Sequence, residues 1–251
     1  MTLSEVIDEI GTREPTLTVV NRDEPESLVR MLKRMVDAPD VTVREAEPPG
    51  TGPSNLVILE GDGDGEQRLA VSPIADVGDS VLMVNSDLYV TGARSVDEVD
   101  TPDVLAGLHG TTFTVEGKQK MLLIEISRHV EALAYRSPGS AIHAGFQSLA
   151  RIDDEQGTRR VYERLIESGV DVHLYGVPDA VPDLPGEAAV HTHDAEEISR
   201  TWFVVNADCP PDTKAALVAE EVGPNEWTGV WTFDPETVDR IAAYLARTYH
   251  E

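Results

Sequence analysis

The chain has 251 residues, 41% of them apolar and 26% charged, enough for one large domain or two modest ones with an ample core. Its formal net charge is −26, from 46 acidic residues spread along the chain against 20 basic ones. Phosphate backbones and anionic membrane surfaces require clustered Lys or Arg, and the best local pair is Arg159–Arg160, so nucleic acid and membrane are excluded as direct partners.

In chain order, the periodicity predicts a short helix over 2–10 and an apolar strand at Leu17–Val20. Asp23 and Pro25 then open a helix carrying Leu28, Met31, Leu32, Met35 and Val36 at helical spacing. Short strands follow at Val41–Glu45, Leu56–Glu60, Arg68–Val71 and Val81–Val84, with Gly61 to Gly65 as a hairpin loop between two of them. A helix near Pro102–Leu108 closes this half. The second half repeats the order, with a helix at Gln119–Ala134, a strand at Ala141–Gln147 and a helix from Glu155 to Ser168. Strands at Val170–Tyr175, Ala188–His191, Trp202–Asn206, Lys214–Glu220 and Trp227–Phe233 come next. Asp234 caps the last helix and Pro235 occupies its first turn.

The halves overlie each other at one constant spacing, Leu56 on Trp202, Arg68 on Lys214 and Val81 on Trp227, and Met31–Val36 overlies Val161–Ile166. This pattern predicts a tandem duplication, two pseudo-symmetric halves with any cleft near their interface. The expected fold class is α/β (α+β), with mixed sheets flanked by helices, an N-terminal half over 1–110 and a second half over 119–251.

Lysine is confined to Lys33, Lys118, Lys120 and Lys214, and acidic excess with scarce lysine resembles the proteins of salt-in haloarchaea, where concentrated salt screens self-repulsion. The start is acidic where a signal peptide would be basic, and the longest uncharged stretch, 137–150, is too short to span a bilayer. The single cysteine, Cys209, excludes an internal disulfide. A cytoplasmic protein is expected.

Mechanistic motifs are sparse. Gly110 to Gln119 looks superficially like a phosphate-binding loop, but has six residues between its glycines where four are required. Asp62 and Asp64 lie between strands and lack the further ligands and flanking helices of an EF-hand. His129 falls beside the apolar stripe of its helix and is expected to face solvent. His191, His193 and Asp194 could supply two or three zinc ligands, but no further Cys or His completes the set at a recognisable spacing, so neither a metal nor any other cofactor is expected. Trp227, Gly229 and Trp231 project to one face of a strand. The notch at the glycine is either a stacking slot for a planar ligand or the place where a helix completes the core.

Six blocks in order carry a family resemblance: Phe146-Gln147, Arg160-Val-Tyr162, Val172 to Pro178, Trp202 to Val205, Ala216 to Glu220, and Trp227 to Pro235. Together they resemble the DICT domain, a sensory domain of diguanylate cyclases and two-component systems, over about residues 119–249. The resemblance implies a non-catalytic signal-transduction module, although no output domain is visible in this chain. A stand-alone sensor would act on a signalling protein partner or through a small-molecule ligand, and a homodimer is compatible with that. Candidate ligand contacts, chosen by residue type and strand facing, are Trp227, Trp231, Tyr175 and Arg160. The alternatives are a small-molecule enzyme using His191, His193 and Asp194, or a purely structural interaction protein.

Overall fold

The computed structural model describes residues 1–11, 14–21, 26–35, 42–46, 54–61, 68–86, 95–116, 121–179, 182–184 and 186–250. The expected Asp23/Pro25 helix start, most of the Gly61 to Gly65 loop, and Lys118 and Gln119 lie outside these residues.

β-Branched and aliphatic runs build two mixed sheets. Strands β1 (Thr16–Val20), β2 (Thr42–Ala46), β3 (Leu56–Gly61) and β4 (Arg68–Pro73) form the smaller, in the order β2-β1-β3-β4. Its β1–β2 pair is parallel and the other two pairs are antiparallel. The longer sheet contains β5 (Phe113–Glu116), β6 (Ala141–Ser148), β7 (Asp171–Val177), β8 (Ala188–Thr192), β9 (Thr201–Ala207), β10 (Ala215–Gly223) and β11 (Glu226–Thr232). Their order is β5-β11-β10-β9-β6-β7-β8, with β6, β7 and β8 parallel to one another.

The stretch β7-β6-β9-β10 has the same order and the same parallel and antiparallel senses as β2-β1-β3-β4. A helix makes the parallel crossover in each, α2 (Glu26–Met35) and α7 (Gln156–Glu167). The halves are nonetheless unequal, because the longer sheet adds β5, β8 and β11. The third matched pair also fails: Val81–Val84, expected as a strand, lies inside helix α3 (Ile74–Ser86). The apolar run there is too short to distinguish the two periods, and the burial of Ile74 and Val77 three residues apart follows the helical one.

Helix ends obey local chemistry. Helix α1 (Leu3–Ile10) carries a capping box, in which the Thr2 hydroxyl accepts from the Glu5 amide at 3.2 Å and the Glu5 carboxylate accepts from the Thr2 amide at 2.9 Å. Helix α9 (Pro235–Tyr249) is capped by Asp234, which accepts from the Thr237 amide at 2.9 Å, with Pro235 in its first turn.

The longer sheet is covered on both faces. One face, with Ile142, Ala144, Val172, Leu174, Leu217, Trp227 and Trp231, joins the smaller sheet, α4 (Asp103–Ala106), α5 (Met121–Tyr135) and α7 in one continuous core. The other, with Tyr175, Phe203, Val205, Val218 and Val230, is covered by α1 and α9. Within the first layer, Arg128 and Glu131 of α5 form a buried ion pair at 2.6 Å; the Tyr162 hydroxyl donates to the other Glu131 oxygen at 3.0 Å, and Arg128 donates to Thr158 at 3.0 Å. These bonds offset the cost of removing both charges from water.

Candidate functional site

The tryptophan segment has the predicted facing but no open slot. Trp227 and Trp231 are 0% and 1% exposed and belong to the shared core. Trp231 stacks on Phe113 with centroids 4.8 Å apart and donates to the Ala106 carbonyl at 3.2 Å, while Trp227 meets Trp202 edge to face. A Cβ placed on Gly229 would lie 2.9 Å from the Ala219 Cβ, so the neighbouring strand closes the notch. Tyr175 faces the opposite side of the sheet, and Arg160 is exposed on α7. The four candidate ligand contacts are therefore not brought together.

What the fold does bring together is histidine. His143 on β6 and His173 on β7 are direct register partners, and Tyr175 is the partner of His191 on β8. Because side chains alternate along a strand, all four project to the same face as α9. His250, which follows the last turn of α9, closes over them. The rings pack nearly parallel, with interplanar angles of 5° between His191 and His250 and 6° between His173 and His250, at centroid distances of 4.3 and 4.7 Å. His143 stacks on His173 at 4.7 Å.

The Tyr175 hydroxyl lies 2.8 Å from Nδ1 of His143 and 2.6 Å from Nε2 of His250. With one proton it donates to one ring and accepts from the other. His173 Nδ1 is 3.0 Å from His191 Nε2, and His173 Nε2 is 3.3 Å from an Asp171 carboxylate oxygen. A carboxylate accepts, so His173 carries its proton on Nε2 and accepts the His191 N–H at Nδ1.

Electrostatics keep three of the rings neutral. Burial first, then the neighbouring His173, His250 and His191, hold His143 down to about 3. His191 is held down to about 4, by burial and then by His250, His173 and His193. His250 is also lowered, by burial and then His173, with Asp171 opposing. Burial raises the Tyr175 phenol. At neutral pH these three rings keep the lone pairs that a metal or a hydrogen-bond donor requires.

One nitrogen from each of His143, His173 and His250 lies within 4.8 Å of the others. His143 is buried, His173 half-buried and His250 exposed, so the group opens to solvent at the helix end. Of the residues predicted as weak metal ligands, only His191 joins the stacked rings, and it is not one of these three donors. His193 Nε2 donates to the Tyr249 carbonyl at 2.9 Å, and Asp194 is exposed.

His129 departs from expectation too. It packs edge to face on Phe233 with centroids 5.7 Å apart, and burial, followed by repulsion from Arg136, holds it down to about 4.

Spacing alone passed over His143, His173 and His250, because parallel register is what stacks the first two. A trace was nonetheless present: His143-Ala-Gly145, His173-Leu-Tyr175 and His191-Thr-His193 each place a ring or a glycine two residues after a histidine, on the same strand face.

No protein-family model and no curated protein matches the sequence. Among solved structures the chain is similar to a polyphosphate kinase from Porphyromonas gingivalis, at 10% identity and a TM-score of 0.37, over 97% of this chain and 47% of that one. It thus spans about half the length of that enzyme.

Proposed function

We propose that this chain is a non-catalytic, cytoplasmic sensory module that binds a small ligand at the histidine cluster and relays its occupancy to a signalling partner. The observation that carries this reading is the convergence of four imidazoles and one phenol where the end of α9 meets three parallel strands. A ligand there would touch three strands and a helix end at once. The DICT resemblance of the second half supports a sensory role, and the charge of −26 supports a protein partner over nucleic acid or a membrane. Among the described residues, no helix is long and apolar enough to cross a membrane.

A route for the relay is supported by helix α8 (Glu196–Arg200). Its Glu197 accepts from the Tyr244 hydroxyl at 2.7 Å, from the Tyr249 hydroxyl, and from the Leu3 amide at 2.8 Å. Through Glu197 the last turn of α9, next to His250, is tied to the start of α1. The small-molecule enzyme reading has less support, since His193 is held by a backbone carbonyl and Asp194 is exposed.

The test is to analyse the metals and small molecules released from chain isolated from its own cells in molar potassium chloride, beside Tyr175→Phe and His250→Ala. A stoichiometric species lost from both variants is expected. An empty wild-type chain, or equal retention by the variants, overturns the reading.

A further inference from the structure

We propose that the cluster is a binding site for a late first-row divalent transition-metal ion, held by His143, His173 and His250. The inference rests on the binding reading above and adds the chemical class of the ligand. Three nitrogen donors from two neighbouring strands and one helix end already stand within 4.8 Å of one another. Tetrahedral zinc at its usual Zn–N distances requires nitrogens about 3.4 Å apart. The remaining contraction is on the order of 1 Å per donor, which side-chain torsions supply without moving the sheet.

The donor set selects the ion. Calcium and magnesium require oxygen ligands, and the carboxylate bonded to the cluster among the described residues, Asp171, is directed at Nε2 of His173. The one cysteine, Cys209, is bonded to the Asn206 carbonyl and is no part of the cluster, so no thiolate draws copper(I) or an iron–sulfur cluster. Imidazole alone suits zinc, cobalt, nickel and copper(II).

The surroundings also fit a metal better than they fit packing. Asp171 on His173 is the carboxylate–histidine arrangement that orients a ligating ring. His191 donates to Nδ1 of His173 at 3.0 Å, so a metal on that nitrogen displaces this bond and leaves His191 beside it as a fourth donor. Exposed His250 leaves a path for entry and exit. A purely structural role would be served at lower cost by the valines and leucines that fill the rest of both faces, which bring no polar nitrogens to satisfy.

The experiment uses the full, untagged chain, stripped with a chelator in molar potassium chloride and titrated with cobalt(II). Expected are one equivalent per chain, visible ligand-field bands of nitrogen-coordinated cobalt, displacement by zinc and none by magnesium. His250→Ala, at an exposed position, should weaken cobalt at least ten-fold with the fold retained by circular dichroism. Asp171→Asn should weaken it roughly 10- to 100-fold. No stoichiometric uptake, or uptake unchanged in both variants, overturns the metal assignment. If cobalt fails while an organic compound is released from the native chain and lost in Tyr175→Phe and His250→Ala, the metal assignment falls and the binding reading stands. If neither is found, both fall.

Discussion

The two faces of the longer sheet place aromatic rings side by side to opposite ends. On the inner face, Trp227, Trp231, Trp202 and Phe113 interlock with the smaller sheet and α5, and a glycine that could have left a slot is covered by Ala219. On the outer face, at the parallel end, His143, His173, Tyr175, His191 and His250 stack beside a helix terminus and reach solvent. Large apolar rings stabilise by exclusion of water and are most effective where nothing else can enter. Imidazoles have a lone pair to offer, which is of use only where a ligand can arrive.

Variants on the two faces should separate stability from binding. The largest effect is expected from Trp227→Ala, which empties a fully buried position in the shared core; a loss of about 3–5 kcal/mol is predicted by denaturant unfolding in molar salt, with cobalt affinity per folded chain unchanged. A loss near zero would mean that the inner face is not core.

Acid provides the next test. A histidine takes up its proton near 6.5 in the unfolded chain, but half-buried His129 does so only at about 4 in the folded one. Between those values the unfolded state holds more protons, so this part of the stability is intact above about pH 6.5 and declines as pH falls towards 4, by up to roughly 3 kcal/mol. His143, held down to about 3, extends the same decline further into acid. Replacing His129 with Phe should flatten the slope between pH 6.5 and 4, and an unchanged slope would show that His129 is not the group responsible.

The smallest effect on stability belongs to the outer face. His250→Ala removes one hydrogen bond, to Tyr175, at an exposed ring and should cost about 0.5–1.5 kcal/mol by thermal or denaturant melting, despite its large effect on cobalt. A loss as large as that of Trp227→Ala would make the histidine cluster a structural element and erase the contrast between the faces.

Much of the architecture is a local matter and was legible in the residues. Thr2 with Glu5, and Asp234 with Pro235, mark helix starts because capping needs only neighbours in sequence. Alternation marked the strands from Ala141 onward, and Trp227, Gly229 and Trp231 face one side as alternation requires. The short apolar run at Val81–Val84 reads as a strand in the sequence and is helical in the fold, since four residues fit either period and packing decides between them. Strand β5, inside the segment that looks like a phosphate loop, pairs antiparallel with β11, far along the chain. Helical spacing points His129 to solvent, but Phe233 from a distant part of the chain packs against it.

The site belongs almost wholly to tertiary structure. The sequence by itself determined the acidic composition, the helix caps, the strand facing and the mixed α/β class. Only the fold decided that a histidine at 143, one at 173 and one at 250 stand within 4.8 Å of one another, because that depends on the parallel register of β6 with β7 and on where α9 ends. Register and helix docking are set by the sum of many burial contacts along whole elements. No spacing between individual histidines encodes them.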